Sequence, residues 1–94
     1  MSIHQLPIDN TASAEDQLKQ SDNLFDEFTK NFPYGQEFTV EFKFVIKHHD
    51  LQYFKETIEY MWKIHTDLDT IAVTELPEYK FVVAVKMYDP LMLV

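Results

Sequence analysis

Two groups of histidines and carboxylates are the places in this sequence where metal or acid–base chemistry would have to occur. One is the consecutive triplet His48, His49 and Asp50, and the other comprises His65, Asp67 and Asp69. Consecutive side chains at the end of a strand point to opposite sides, whereas a metal ion needs ligands that converge. We therefore interpret both groups as solvated turn or helix-end residues and assign no metal ligand. A small metal-dependent enzyme is the least favoured function.

The residue types that other catalytic sites need are scarce. The chain has no cysteine, which excludes disulfides, thiolate nucleophiles and thiolate metal sites. Gly35 is its one glycine, so a glycine-rich loop that cradles phosphates cannot form. Ser2, Ser13 and Ser21 lack the glycine-bounded elbow that exposes a nucleophilic serine. The sequence predicts no catalytic residue, no cofactor and no enzymatic activity.

The charge balance indicates which partners the protein can attract. Sixteen aspartates and glutamates against eight lysines and arginines give a net charge of -8. This charge repels phosphate backbones and anionic lipids, so we expect neither direct nucleic-acid binding nor membrane binding. No signal segment and no apolar stretch of about 20 residues is present, which predicts a cytoplasmic protein. A protein with a basic surface would be attracted, although acidity that serves only solubility stays an open alternative.

The first half of the chain contains the negative charge and the clearest strand. Residues 1–12 have no periodicity, so we expect a flexible N-terminal arm there, followed by a single domain over residues 13–94. Ser13 stands three residues before Asp16, a capping-box spacing that predicts a helix from about Ala14 to Asn31. Its exposed side would carry Glu15, Asp16, Asp22, Asp26 and Glu27. After it, alternation predicts a half-buried strand whose core face is Phe38, Val40, Phe42, Phe44 and Ile46.

The second half predicts a helix and a hairpin. Asp50 is a candidate N-cap for a helix that ends near residue 65 or 67. Residues 70–76 and 79–88 read as strands that Pro77 and Glu78 connect. The order helix, strand, helix, strand, strand predicts an α+β fold with a small, mainly antiparallel sheet and helices on one face, like a split βαβ unit.

With no catalytic constellation, the sequence favours a binding function. Exposed aromatic rings anchor many interfaces. The candidates are Tyr34, in the turn that follows the first helix, and Tyr53 and Trp62 on the second helix. Together with the five carboxylates of the first helix they form the predicted site for a protein partner with a basic surface.

The leading hypothesis is an inhibitor or antagonist of a larger, nucleic-acid-processing protein. Mimicry of nucleic acid and a phage-encoded counter-defence role are special forms of it, by analogy of size and charge alone. The alternative is a regulatory or assembly module that binds through a sheet edge or an apolar patch. Two sheet edges and the apolar residues 91–94 also suggest a homodimer.

Overall fold

The computed structural model describes residues 2–31, 38–63 and 68–87 of the chain. The strands and α-helices of this part are β1 (Ser2–Gln5), α1 (Ala14–Asn31), β2 (Phe38–Val45), α2 (Leu51–Lys63), β3 (Leu68–Leu76) and β4 (Lys80–Met87). A short 3-10 helix, His48–Asp50, leads directly into α2. The strands form one sheet in the order β1-β2-β4-β3, in which β1 runs parallel to β2 and the other neighbours are antiparallel. The predicted α+β class is confirmed.

The alternating pattern of β2 places this strand at the centre of the core. Its side chains Phe38, Val40, Phe42 and Phe44 are all buried on one face of the sheet. They lie beside the buried face of β4, which contributes Phe81, Val83 and Val85. Each of these side chains stabilises the fold by about 1.5–3 kcal/mol through removal from water.

Both helices cover this same face of the sheet, as the sequence predicts. Phe25 of α1 meets Trp62 of α2 edge to face, with ring centroids 5.0 Å apart. Phe54 of α2 packs on Phe81 of β4 at 4.8 Å. The predicted cap of α1 is also present, since the backbone N–H of Asp16 donates to the Ser13 hydroxyl over 3.2 Å.

The N-terminal segment differs from the arm that the sequence predicts. Ser2–Gln5 form β1, an edge strand, and the next backbone N–H, that of Leu6, donates to the carbonyl of Glu41 over 3.1 Å. Four residues are too few for a period-two pattern to stand out. In addition, Ile3, the apolar member of β1, is 62% exposed, whereas His4 is half-buried. The prediction is therefore corrected for Ser2–Gln5: the sheet has a fourth strand, and the element order begins with it.

Beyond the end of β1, side-chain amides complete the edge of β2. The side chain of Gln17 is 1% exposed and pairs with Val45 as a strand would: Nε2 donates to the Val45 carbonyl over 2.8 Å, and Oε1 accepts the Val45 N–H over 3.2 Å. Asn10 donates to the Lys43 carbonyl over 2.9 Å and to Gln17 Oε1 over 3.1 Å. These contacts satisfy backbone groups of β2 that lie beyond its pairing with β1, and they attach α1 to the sheet.

The hairpin between β3 and β4 is one residue longer than the sequence predicts. Leu76 pairs with Lys80, so Pro77, Glu78 and Tyr79 form the connection. Glu78 and Tyr79 have φ angles of 65° and 59°, a left-handed conformation that an extended strand residue cannot adopt. Tyr79 therefore belongs to the turn and not to the last strand.

Candidate functional site

The carboxylates of α1 are the first surface to locate, because the sequence assigns them to partner binding. Glu15, Asp16, Asp26 and Glu27 are exposed, and Asp22 is half-buried. Two of them have lysine neighbours one turn later on the helix. Glu15 Oε1 lies 3.4 Å from the ammonium of Lys19, and Asp26 Oδ2 lies 3.0 Å from that of Lys30. The surface is therefore acidic, but its row of negative charge is interrupted at both ends of the helix.

An exposed pair of tyrosines lies on α2. Tyr53 is 45% exposed and Tyr60 is 71% exposed, and their spacing of seven residues puts them on the same side of the helix. The opposite flank of α2 faces β3, because Lys55 reaches Glu75 over 3.6 Å. The tyrosines therefore lie on the exposed flank of α2 that is remote from Lys55 and β3. Sequence reasoning selected Tyr53 and missed Tyr60, although the seven-residue spacing was readable.

The other two predicted aromatic anchors do not join this pair. Trp62 is fully buried, edge-on to Phe25 and stacked at 5.9 Å on Phe42. Its place in the core follows from its position four residues after Ile58 on the buried stripe of α2, so its assignment to an exposed patch is corrected. Tyr34 lies outside the described residues.

The histidine groups make contacts typical of turns. The ring of His48 lies 5.4 Å from the Tyr79 ring, and His49 Nε2 lies 3.4 Å from Asp50 Oδ2. Within residues 2–31, 38–63 and 68–87, no three histidine, aspartate or glutamate side chains come close enough to share a metal ion. His65 and Asp67, of the second group, lie outside the described residues.

The face of the sheet remote from the helices forms a second surface, which we call the open face. Its half nearer the β3–β4 hairpin is formed by Lys43, Val45, Leu76, Lys80, Val82 and Ala84. Val45 is 36% exposed and Leu76 is 41% exposed, and both lysines are exposed. No function is predicted for these residues from the sequence, because the outward side of one strand does not reveal which residues of other strands lie beside it.

Two adjoining recesses mark one end of the open face. One, of about 260 Å³, is lined by Leu6, Pro7 and Ile8 on one side and by Glu41 on the other. The second, of about 390 Å³, has a floor of Val45, Leu76 and Val82 and has Lys80 on its rim. The side chains that line both recesses are Asn10 and Lys43.

The segment that positions Asn10 is held by local hydrogen bonds. Thr11 donates its hydroxyl and its backbone N–H to the carboxylate of Asp9, and these two bonds hold the pKa of Asp9 below its ordinary value. The Asp9 N–H in turn donates to Gln20 Oε1 over 2.9 Å. The residues directly before and after Asn10, Asp9 and Thr11, are thus both hydrogen-bonded, and they hold Asn10 beside Lys43.

Comparisons of the chain with family profiles, curated proteins and solved structures found no match. Among the described residues, neither helix has the length and hydropathy required to cross a bilayer.

Proposed function

We propose that this protein is a protein-binding module that inhibits or antagonises a larger protein with a basic surface. The contact surface is the helical face, which we define as Tyr53 and Tyr60 of α2 together with the exposed carboxylates of α1. The observation that carries the proposal is the exposure of two tyrosines, one heptad apart, in a domain whose other helix carries exposed carboxylates. We propose that the protein meets this partner in the cytoplasm. We propose no direct contact with nucleic acid.

The two residue types have separate tasks in this proposal. Tyrosine is enriched at the centres of interfaces, where a buried anchor contributes about 2 kcal/mol or more. Exposed carboxylates contribute less to final affinity, but they attract a basic partner over a distance and speed its capture at low salt. Tyr60 would therefore slow dissociation of the complex, whereas residues such as Asp16 and Glu27 would speed its association.

Mimicry of a nucleic-acid strand is the narrower form of the proposal and has less support. Such mimicry needs an unbroken row of negative groups that replaces a row of phosphates. Lys19 and Lys30 stand within the row on α1, at 3.4 and 3.0 Å from its carboxylates. A basic protein groove that accepts both tyrosine rings and carboxylates fits the helical face better than a channel shaped for phosphates alone.

The proposal predicts that loss of the two tyrosines abolishes partner capture. Immobilised wild-type protein is expected to retain a basic protein from a lysate of its source organism at low salt. The double variant Tyr53→Ala/Tyr60→Ala is expected to bind the same protein at least about 30-fold more weakly, as measured by titration with the purified partner. Higher ionic strength should slow association more than it speeds dissociation.

A matched control lies on the open face. Thr39→Ala/Thr74→Ala shortens two side chains on the face of the sheet remote from the helices and should leave capture of the partner unchanged. If the tyrosine variant and this control retain the same proteins to the same extent, the helical face is not the binding surface and the proposal is wrong.

An assembly role through the sheet edge is the second candidate, and the position of β3 favours it. Among the described residues, β3 pairs with β4 on one side only, and Val73 is 43% exposed. A β-bulge interrupts its pairing between Leu68 and Thr70, but its nine residues contain no proline and no lysine, two residue types that commonly prevent edge strands from pairing. A second copy could add its own β3 in an antiparallel, two-fold arrangement.

Light scattering distinguishes this assembly role from a monomeric binder. We expect a dimer mass for the wild type at concentrations of about 100 µM and above, and a monomer mass for Val73→Lys, because an ammonium on the edge opposes pairing. Gln52→Lys adds the same charge on α2 and should remain dimeric. A monomer mass for the wild type at every concentration would remove the assembly hypothesis.

A further inference from the structure

We propose that the open face of the sheet is a second binding surface, which takes an acidic amphipathic helix of a partner protein. This surface lies on the layer opposite to the helical face, so the inference goes beyond the proposed function and does not depend on it. The protein would then hold two partners of opposite charge, one on each layer.

Charge on the open face is opposite to that of the molecule as a whole. The chain carries a net charge of -8. Among the described strand side chains on this face, the charged residues are Lys43, Lys80, Lys86 and Glu41. Glu78, in the turn, also lies beside Lys80. Three lysines against these two carboxylates leave more cations than anions at this face, so an acidic partner is attracted to it while the rest of the surface repels that partner.

The lysines surround an apolar floor. Lys43 stands directly opposite Val82, and Lys80 stands directly opposite Val45, so each lysine has a valine beside it on the neighbouring strand. Leu76 extends the floor toward β3. The two lysines are diagonal neighbours on antiparallel strands, about 7–8 Å apart at their backbones. An apolar stripe with carboxylates along its margin is the complementary surface.

Side-chain geometry selects a helix as the occupant. The backbone groups of β2 and β4 are already paired within the sheet, so no strand can be added on this face. Carboxylates at positions i and i+4 of a helix lie about 6 Å apart, within reach of both flexible ammonium groups. A helix on a sheet is also the ordinary way in which a bare apolar sheet face is covered.

Two further contacts bear on the lysines. Asn10 donates to the Lys43 carbonyl, which holds the rim of both recesses in place. Lys80 Nζ lies 3.7 Å from Glu78 Oε2, but this carboxylate is 82% exposed, and ion pairs of that kind are weak. Lys80 can therefore exchange Glu78 for a carboxylate of the partner.

A single-stranded nucleic acid is the competing occupant, and the observations do not favour it. Sheets that bind single strands stack bases on aromatic rings. The described strand residues on the open face include no phenylalanine, tyrosine, tryptophan or histidine. The lysines suit the carboxylates of an amphipathic helix, and the valines and Leu76 suit its apolar stripe.

The test is an NMR titration of the isotopically labelled full chain at low salt. The probe is a synthetic helical peptide of about 16 residues, with a leucine stripe flanked by glutamates at i and i+4. We expect amide shifts at Lys43, Val45, Val82 and Ala84. A peptide in which lysines replace the glutamates should not produce them.

Charge reversal on the two layers supplies a matched comparison. Lys43→Glu/Lys80→Glu should weaken peptide binding at least about tenfold, whereas Lys19→Glu/Lys30→Glu makes the same change in net charge on α1 and should weaken it less than about threefold. Lys43→Gln/Lys80→Gln should give an intermediate loss. Equal loss in both reversals, shifts confined to the helices, or tighter binding of an oligothymidine would each overturn the inference.

Discussion

Replacing Gln17 with leucine is expected to lower the free energy of unfolding by about 3 kcal/mol, although leucine has a similar size and is more apolar. The amide of Gln17 bonds to both backbone groups of Val45 and also donates to the Ala12 carbonyl over 2.9 Å. Leucine can replace none of these bonds. A partly buried N–H and two carbonyls would lose their partner, at about 1–3 kcal/mol for each group that water does not reach.

Urea unfolding followed by far-ultraviolet circular dichroism measures this loss. Hydrogen exchange gives a second readout, because the Val45 amide should exchange faster in Gln17→Leu than amides in the centre of β2. Gln52→Leu is the matched control, since Gln52 is exposed and bonds only to Glu56 on its own helix, and it should change stability by less than about 0.5 kcal/mol. Equal stabilities of the two variants would show that Gln17 does not fasten α1 to the sheet.

Replacing Trp62 with alanine is expected to cost about 4 kcal/mol, the second large effect. The indole fills the space between α1, α2 and β2, where it contacts the rings of Phe25 and Phe42. Alanine would leave a cavity that packed helices cannot close. Trp62→Phe keeps an aromatic ring and should cost about 1–2 kcal/mol. Net stabilities of single domains are about 5–15 kcal/mol, so a loss of about 4 kcal/mol can leave the alanine variant partly unfolded. In that case the stability of the phenylalanine variant is compared with that of the wild type instead.

Tyr60→Ala is the control for Trp62, because it removes an aromatic ring from the same helix at a position that is 71% exposed. Its stability should lie within about 0.5 kcal/mol of the wild type. Far-ultraviolet circular dichroism in urea is again the measurement, since Trp62 is the only tryptophan and its loss removes the usual fluorescence signal. Equal costs for Trp62→Ala and Tyr60→Ala would mean that Trp62 is not a core residue.

The sequence predicts the elements with strong periodicity. The alternation over β2 identified its buried face, and Ser13 identified the first turn of α1. Both signals are local: a side chain's neighbours along the chain determine which way it points. The same local rules favoured a hairpin, but they placed Tyr79 in the strand because its left-handed backbone angle has no signature in the residue type.

The candidate site was only partly predictable. The acidic side of α1 and the exposure of Tyr53 follow from helical spacing. The burial of Trp62 was also within reach of that spacing, but the frequency of aromatic rings at interfaces suggested an exposed position instead. Gln17 was not predicted at all, since a glutamine in a helix has no reason to be buried until a strand end with open hydrogen-bonding groups lies against it.

What the sequence by itself determined is the composition of each element and the side on which its apolar residues lie. Only the tertiary structure decided that β1 joins β2, that Gln17 completes the edge of that strand, and that Lys43 and Lys80 stand diagonally across neighbouring strands. The physical reason is that pairing between strands joins residues far apart in the chain, and periodicity within one strand does not specify its neighbour. The grouping of Lys43 and Lys80 on one face of an acidic chain arises from that pairing.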